Sequence, residues 1–154
     1  NVINRGISGD VAMGIYDRLH QILPGKPKQI FLLIGVNDIS HDLSTDSIVQ
    51  MIEKNVTRIQ RESPETKLYL QSLLPIDESF NRYKKLTNKT YQIPEINDRL
   101  KALAKEKKID FIDLYPLFTE KGTNVLRKEL TYDGLHLKEE GYKIWVDAIK
   151  KKIK

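Results

Sequence analysis

Short apolar runs alternate along the chain with longer stretches in which apolar residues recur at helical spacing. That alternation predicts an α/β domain built on a parallel sheet. Val2-Ile3 reads as the stub of a strand, followed by a glycine-containing turn from Gly6 to Asp10. Asp10 is placed to cap a helix running to about Leu23, which Pro24-Gly25-Lys26-Pro27 stops. Ile30 to Ile34 is a continuous apolar run, as expected of a strand covered on both faces; it ends at Gly35, and a polar loop carries the chain to Ser44. Ile48, Met51, Ile52, Asn55 and Ile59 then define a helix that begins at Ser44 or Thr45 and ends at Pro64.

Lys67 to Ser72 predicts the next strand, closed by Pro75, and the polar, aperiodic stretch from Asp77 to Gln92 predicts an irregular loop over the sheet edge. Ile93, Ile96, Leu100, Leu103 and Ala104 mark a third helix, with Pro94 tolerated in its first turn. A short strand follows from Asp110 to Asp113, then a loop through Gly122 to Leu130. From Lys138 a last helix is expected to bury Tyr142, Trp145, Val146, Ile149 and Ile153 on one face. The sum is four strands and four helices in one domain, residues 1–154. A parallel strand at Val2-Ile3 needs a crossover before it, so the domain reads as incomplete at its front.

Composition narrows the class without naming a function. Apolar residues make up 40% and charged residues 31% of the 154, which excludes a disordered or fibrous chain. The net charge of +5 comes largely from Lys105, Lys107, Lys108 and the tail from Lys150 to Lys154. These lysines fall at the ends of two predicted helices, where cations complement the helix dipole, so no nucleic-acid surface is expected. The absence of cysteine excludes disulfides and thiolate chemistry. No apolar run approaches the ~20 residues of a membrane span. The chain opens at Asn1 without a methionine, which leaves a signal peptide unjudged and the compartment, secreted or periplasmic included, open.

Three segments carry candidate chemistry. In Thr131-Tyr132-Asp133-Gly134-Leu135-His136-Leu137, an Asp three residues before a His can fold back to meet one imidazole nitrogen, with Gly134 permitting the turn. The contact would fix the tautomer and leave the other nitrogen free as a general base. The same two residues also read as plain loop residues ahead of a helix. In Ile34-Gly35-Val36-Asn37-Asp38, at the carboxyl end of the strongest strand, the Asn37 amide is a neutral donor suited to a developing oxyanion. Asn37 and Asp38 equally fit a loop in which short polar side chains bond local backbone. In Asn4-Arg5-Gly6-Ile7-Ser8-Gly9-Asp10, backbone N–H groups open a helix as anion sites do, and Gly9 offers a second donor. Ser8 is discounted as a nucleophile because its surroundings are not a G-x-S-x-G elbow.

Asn-x-x-Ile-Ser-Gly-Asp, then Gly-x-Asn-Asp after an apolar strand, then Asp-Gly-x-His before a terminal helix, resembles the SGNH (GDSL-like) hydrolase superfamily, in order and along essentially the whole chain. Leu68 to Pro75 and Leu137 to Trp145 also resemble its acetylhydrolase and carbohydrate O-acetylesterase branch. The resemblance implies a three-layer α/β/α sandwich with a parallel sheet, an oxyanion hole from Gly9 and Asn37, His136 as general base and Asp133 as its orienting acid. It implies a serine ester hydrolase that removes a short acyl group, acetyl above all, from a small-molecule or carbohydrate ester by a Ser-His-Asp mechanism, with no cofactor. The family's Gly-Asp-Ser block, which carries the nucleophile on a central strand, has no counterpart in these residues. Without a central strand the sheet would be left with unpaired ladder groups. A segment of roughly 20 to 40 residues, one strand and a crossover helix, is therefore expected to precede Asn1 and pack centrally.

The remaining candidates are weaker. His41, in the loop after Asn37, and Asp38 are possible substrate contacts; His20 reads as a surface residue and Trp145 as core. Three histidines with no His-x-His and no H-E-x-x-H pattern give no expectation of a metal. Two rival functions stand beside the esterase. One is a non-catalytic member that binds a carbohydrate or protein partner in the same crevice. The other is a flavodoxin-like phosphate or nucleotide binder, for which no phosphate loop is visible.

Overall fold

The computed structural model describes residues 2–154. Among them are three strands, β1 (Gln29–Leu32), β2 (Lys67–Gln71) and β3 (Asp110–Ile112), in the order β1-β2-β3. Both pairings are parallel, with Phe31 opposite Tyr69 and Leu70 opposite Phe111. The crossovers are helices α3 (Thr45–Glu62) and α4 (Gln92–Lys107). Helices α1 (Ala12–Ile22), α2 (Val36–Ser40), α5 (Tyr115–Phe118) and α6 (Glu139–Ile149) complete the fold. None is long and apolar enough to cross a membrane.

The period of two in β2 assigns the layers. Leu68 and Leu70 join a cluster formed with Leu19 of α1, Ile52, Val56 and Ile59 of α3, and Ile96 and Leu100 of α4. Tyr69, pointing the other way, joins Ile112, Phe118, Leu126 and Leu137, with Trp145 and Ile149 of α6 packed against them. Helices thus cover both faces, the three-layer arrangement expected from the sequence. Tyr69 stacks on Phe31 of the neighbouring strand with centroids 4.6 Å apart. Trp145 is half-buried and donates its indole N–H to Gln71 Oε1 at 2.8 Å.

Helix α3 starts where its sequence places it: Ser44 is the N-cap, and its hydroxyl accepts from Ser47 N–H. Five expectations are corrected. Val2 and Ile3 form no strand and stand 77% and 74% exposed, because no strand lies beyond β1 to pair with them among the described residues. For the same reason β1 is an edge strand, three of its four residues only half-buried, rather than one covered on both faces. The expected loop after Gly35 contains α2, and the loop after Asp113 contains α5. On α6, Tyr142 and Val146 are about half exposed, and Ile153, also expected on the buried face, lies beyond the helix and is exposed; the face that packs runs through Gly141, Ile144, Trp145, Ala148 and Ile149.

The exit of β2 is fixed from α4. Asn97, buried, donates Nδ2 to the Leu73 carbonyl at 3.1 Å and accepts the Leu73 N–H on Oδ1 at 2.7 Å. Replacing Asn97 with Ala strands both peptide groups without water. Each such loss costs about 1–3 kcal/mol. Urea denaturation of Asn97→Ala is expected to show a loss of about 2–4 kcal/mol with an unchanged denaturant slope.

Candidate active site

The segments that the sequence singled out lie at the carboxyl-terminal rim of the sheet, in two groups. The first is built around α2, which follows β1 directly. Asn37 Nδ2 donates to the Asp10 carbonyl at 2.8 Å, tying α2 to the turn that holds Gly9. This spends one amide proton of Asn37 and leaves the second unspent. Gly9 adopts φ +75°, in a turn closed by Asp10 N–H bonding to the Ile7 carbonyl at 3.2 Å. Ser8 is exposed in the same turn.

Asp38 is 1% exposed, and its carboxylate accepts the Ala12 N–H at the start of α1, at 3.1 Å from Oδ2. It therefore caps α1 from a distant segment and presents almost no surface to a substrate. The sequence assigned that capping role to Asp10. Asp10 instead pairs with Arg18 at 2.7 Å and accepts the neighbouring Val11 N–H. Burial holds the Asp38 carboxyl above its usual range, partly offset by the Ala12 bond. His41 stands exposed at the carboxyl end of α2, and His20 is exposed on α1 with Nδ1 2.7 Å from the Asp17 carbonyl.

The second group is the loop from Thr131 to Leu137, closed by an antiparallel bridge between those two residues. Thr131, buried, donates its hydroxyl to the His136 carbonyl at 2.7 Å and accepts the Gly134 N–H at 3.0 Å. Gly134 sits at φ +88°, and its carbonyl accepts Asp77 N–H at 2.9 Å. A Cβ there would collide with the Asp77 carbonyl oxygen and press on Phe80, so the position admits glycine alone.

That tight loop brings Asp133 and His136 together. Asp133 Oδ1 accepts the Leu135 and His136 N–H groups at 2.9 and 2.8 Å, and Oδ2 lies 2.8 Å from His136 Nδ1. The His136 side chain is 66% exposed and that of Asp133 23%. Among the described residues, no serine or threonine hydroxyl bonds the His136 ring. Ser72, at the end of β2, is fully buried and uses its hydroxyl to accept the Leu114 and Tyr115 N–H groups.

One residue of this group was not picked out from the sequence. Tyr83 donates its hydroxyl to Asp133 Oδ2 at 2.6 Å, and the Tyr83 oxygen itself lies 2.9 Å from His136 Nδ1. Its ring meets the imidazole edge-on, centroids 5.7 Å apart. It comes from the stretch expected to be an irregular loop, which contains two short 3-10 turns, Glu78–Phe80 and Lys84–Leu86, with Leu86 buried beneath. No spacing rule links position 83 to 133; the only signal was that this loop lies over the rim. The two groups meet where Lys89 of this loop pairs with Asp42, just after α2.

A model of the GDSL-like lipase/acylhydrolase family matches residues 1–144, nearly the whole chain. The chain belongs to this family. A GDSL-like lipase from Bacteroides thetaiotaomicron superposes with a TM-score of 0.87 at 26% identity, over 97% of this chain and 74% of the other. An acetyl xylan esterase shares the fold at a TM-score of 0.82 and 23% identity, over 100% of this chain and 81% of its own. By sequence, the chain is 26% identical to the N-acylneuraminate cytidylyltransferase of Escherichia coli O18:K1:H7 (strain RS218 / NMEC) over 156 residues, 99% of this chain. It spans 35% of that relative's length. Membership in the GDSL-like family supports a hydrolase of the esterase type.

Burial alone would raise the Asp133 carboxyl, but hydrogen bonds from Tyr83, from the His136 backbone and ring, and from Leu135 hold it well below the usual carboxylate range. A folded value below the unfolded one means that the bonded carboxylate contributes stability above about pH 4, lost as pH falls through and below that region. The urea midpoint difference between the natural chain and Asp133→Asn is therefore expected to be largest near neutral pH and to shrink steadily below about pH 4.

Proposed function

We propose that this chain carries the acid, base and oxyanion donors of a serine ester hydrolase acting on short acyl esters. The observation that carries the proposal is the Asp133 Oδ2 to His136 Nδ1 contact at 2.8 Å beneath a largely exposed imidazole. Asp133 stabilises the imidazolium, and Nε2 faces outward to take a proton from a serine hydroxyl and return it to the leaving alcohol. The free N–H of Asn37 and the main-chain N–H of Gly9 bind the tetrahedral oxyanion. Each such donor is worth about 3 kcal/mol of barrier height.

The nucleophile is assigned to a segment outside these residues, on a strand that adds to β1. In support, the outer edge of β1 has no partner among the described residues, and Tyr142 and Val146 of α6 stand exposed. A short acyl group, acetyl on a sugar hydroxyl being the instance, is favoured by the branch resemblance.

In the protein that includes the preceding segment, His136→Ala is expected to lower kcat on 4-nitrophenyl acetate by about 10²- to 10⁴-fold. Asn37→Ala is expected to lower it by about 10²- to 10³-fold with little change in KM. Unchanged turnover in His136→Ala rejects the mechanism. A preceding segment that holds no serine favours the non-catalytic binding role instead.

A further inference from the structure

We propose that Tyr83 is a positioning residue that holds His136 with its Nδ1 edge on Asp133, and that the loop carrying Tyr83 is clasped so as to deliver it. The inference rests on reading Asp133 and His136 as acid and base. The Tyr83 oxygen, Asp133 Oδ2 and His136 Nδ1 form a triangle with sides of 2.6, 2.8 and 2.9 Å.

Tyrosine has one proton to give. If it went to Nδ1, the unprotonated Nδ1 lone pair would face the Asp133 carboxylate at hydrogen-bond distance, which is repulsive. The arrangement without repulsion has Tyr83 donating to Oδ2 and Nδ1–H shared between Oδ2 and the phenol oxygen. The bond to Asp133, with burial added, accordingly holds the Tyr83 hydroxyl above its usual range and keeps it protonated as a donor. An imidazole that is 66% exposed has little packing to fix its ring, so the second bond and the edge-on ring contact restrain its rotation.

The clasp is separate from the triangle. Glu78 closes the neck of the loop, accepting the Asn88 N–H on Oε2 at 3.0 Å and the Thr90 hydroxyl on Oε1 at 2.5 Å. The pairing of Lys89 with Asp42 then ties the loop to the Asn37 side of the rim. Glu78 touches neither Asp133 nor His136 through these bonds, so it acts on the dyad through where it places the loop: Tyr83, and the Asp77 N–H that bonds the Gly134 carbonyl.

The test reads the imidazole directly and needs no turnover. In ¹⁵N-labelled chain the Nδ1–H proton of His136 is followed by NMR near pH 9, well above the ordinary histidine range. Tyr83→Phe retains the ring and removes the hydroxyl. It is expected to displace the Nδ1–H resonance and to speed its exchange with water about fivefold, the factor matching one lost net hydrogen bond. Glu78→Gln is expected to speed the same exchange, and the double variant to go little beyond Tyr83→Phe, since Glu78 delivers the hydroxyl that Tyr83→Phe removes. Backbone amide spectra confirm that each variant is folded. An Nδ1–H resonance unmoved in position and rate by Tyr83→Phe overturns the proposal. Asp133→Asn separates this from failure of the dyad: if it too leaves the resonance unchanged, the acid–base assignment itself falls; if it alone disturbs the resonance, only Tyr83 loses its role.

Discussion

Four donors converge on the carboxylate of Asp133: two backbone N–H groups, the His136 ring and the Tyr83 hydroxyl. A partly buried carboxylate so surrounded stays ionised, and its shape then dictates everything near it. One oxygen is used up in holding the Leu135–His136 backbone turn, so the other has a single direction left in which to face the imidazole. The loop that carries Asp133 also carries His136, three residues on. Their relative placement therefore begins in local chain geometry, braced by Thr131 and Gly134, with Tyr83 reaching the pair from a distant segment.

The Asn37 side of the rim is built on the opposite principle. Asn37 and Asp38 are consecutive, yet each is anchored to a different part of the chain, Asn37 to the Asp10 carbonyl and Asp38 to the Ala12 N–H. A short helix of five residues has few internal bonds to hold it. What stabilises α2 is tertiary: the buried Asp38 on α1 and the burial of Ile39. The same carboxylate that orders α1 sets the position of the neighbouring amide, which makes the stability of the first helix and the aim of the Asn37 donor one physical problem.

The parts of this arrangement legible in sequence are those whose cause is local or periodic. Ile48, Ile52 and Ile59 announce α3, Ser44 announces its cap, and Asp133-Gly134-x-His136 announces a turn that can close on itself. Where the cause is tertiary the sequence reading went astray. Asp10 looks like a cap because it precedes the helix, but the carboxylate that reaches the N–H comes from 26 residues further on. Val36 to Ser40 contains the residue types of a loop and is helical because of what it packs against. Tyr142 and Val146 fit a helical stripe and yet face outward, since periodicity gives the width of an apolar face and not which part of it meets a neighbour. Tyr83 reaches the dyad across 50 residues from a stretch with no period at all.

The unpartnered side of β1 has a consequence for handling the molecule. A strand whose outward edge has no partner strand among the described residues is a template on which another extended chain can add, and half-buried apolar side chains on either side of it favour such addition. Between copies of this polypeptide, what opposes that association is mutual repulsion from the net charge of +5. Screening by salt weakens repulsion of this kind while leaving the attraction between apolar surfaces intact. The colloidal behaviour of the isolated polypeptide is thus set by a balance at one strand edge, with ionic strength as the variable that tips it.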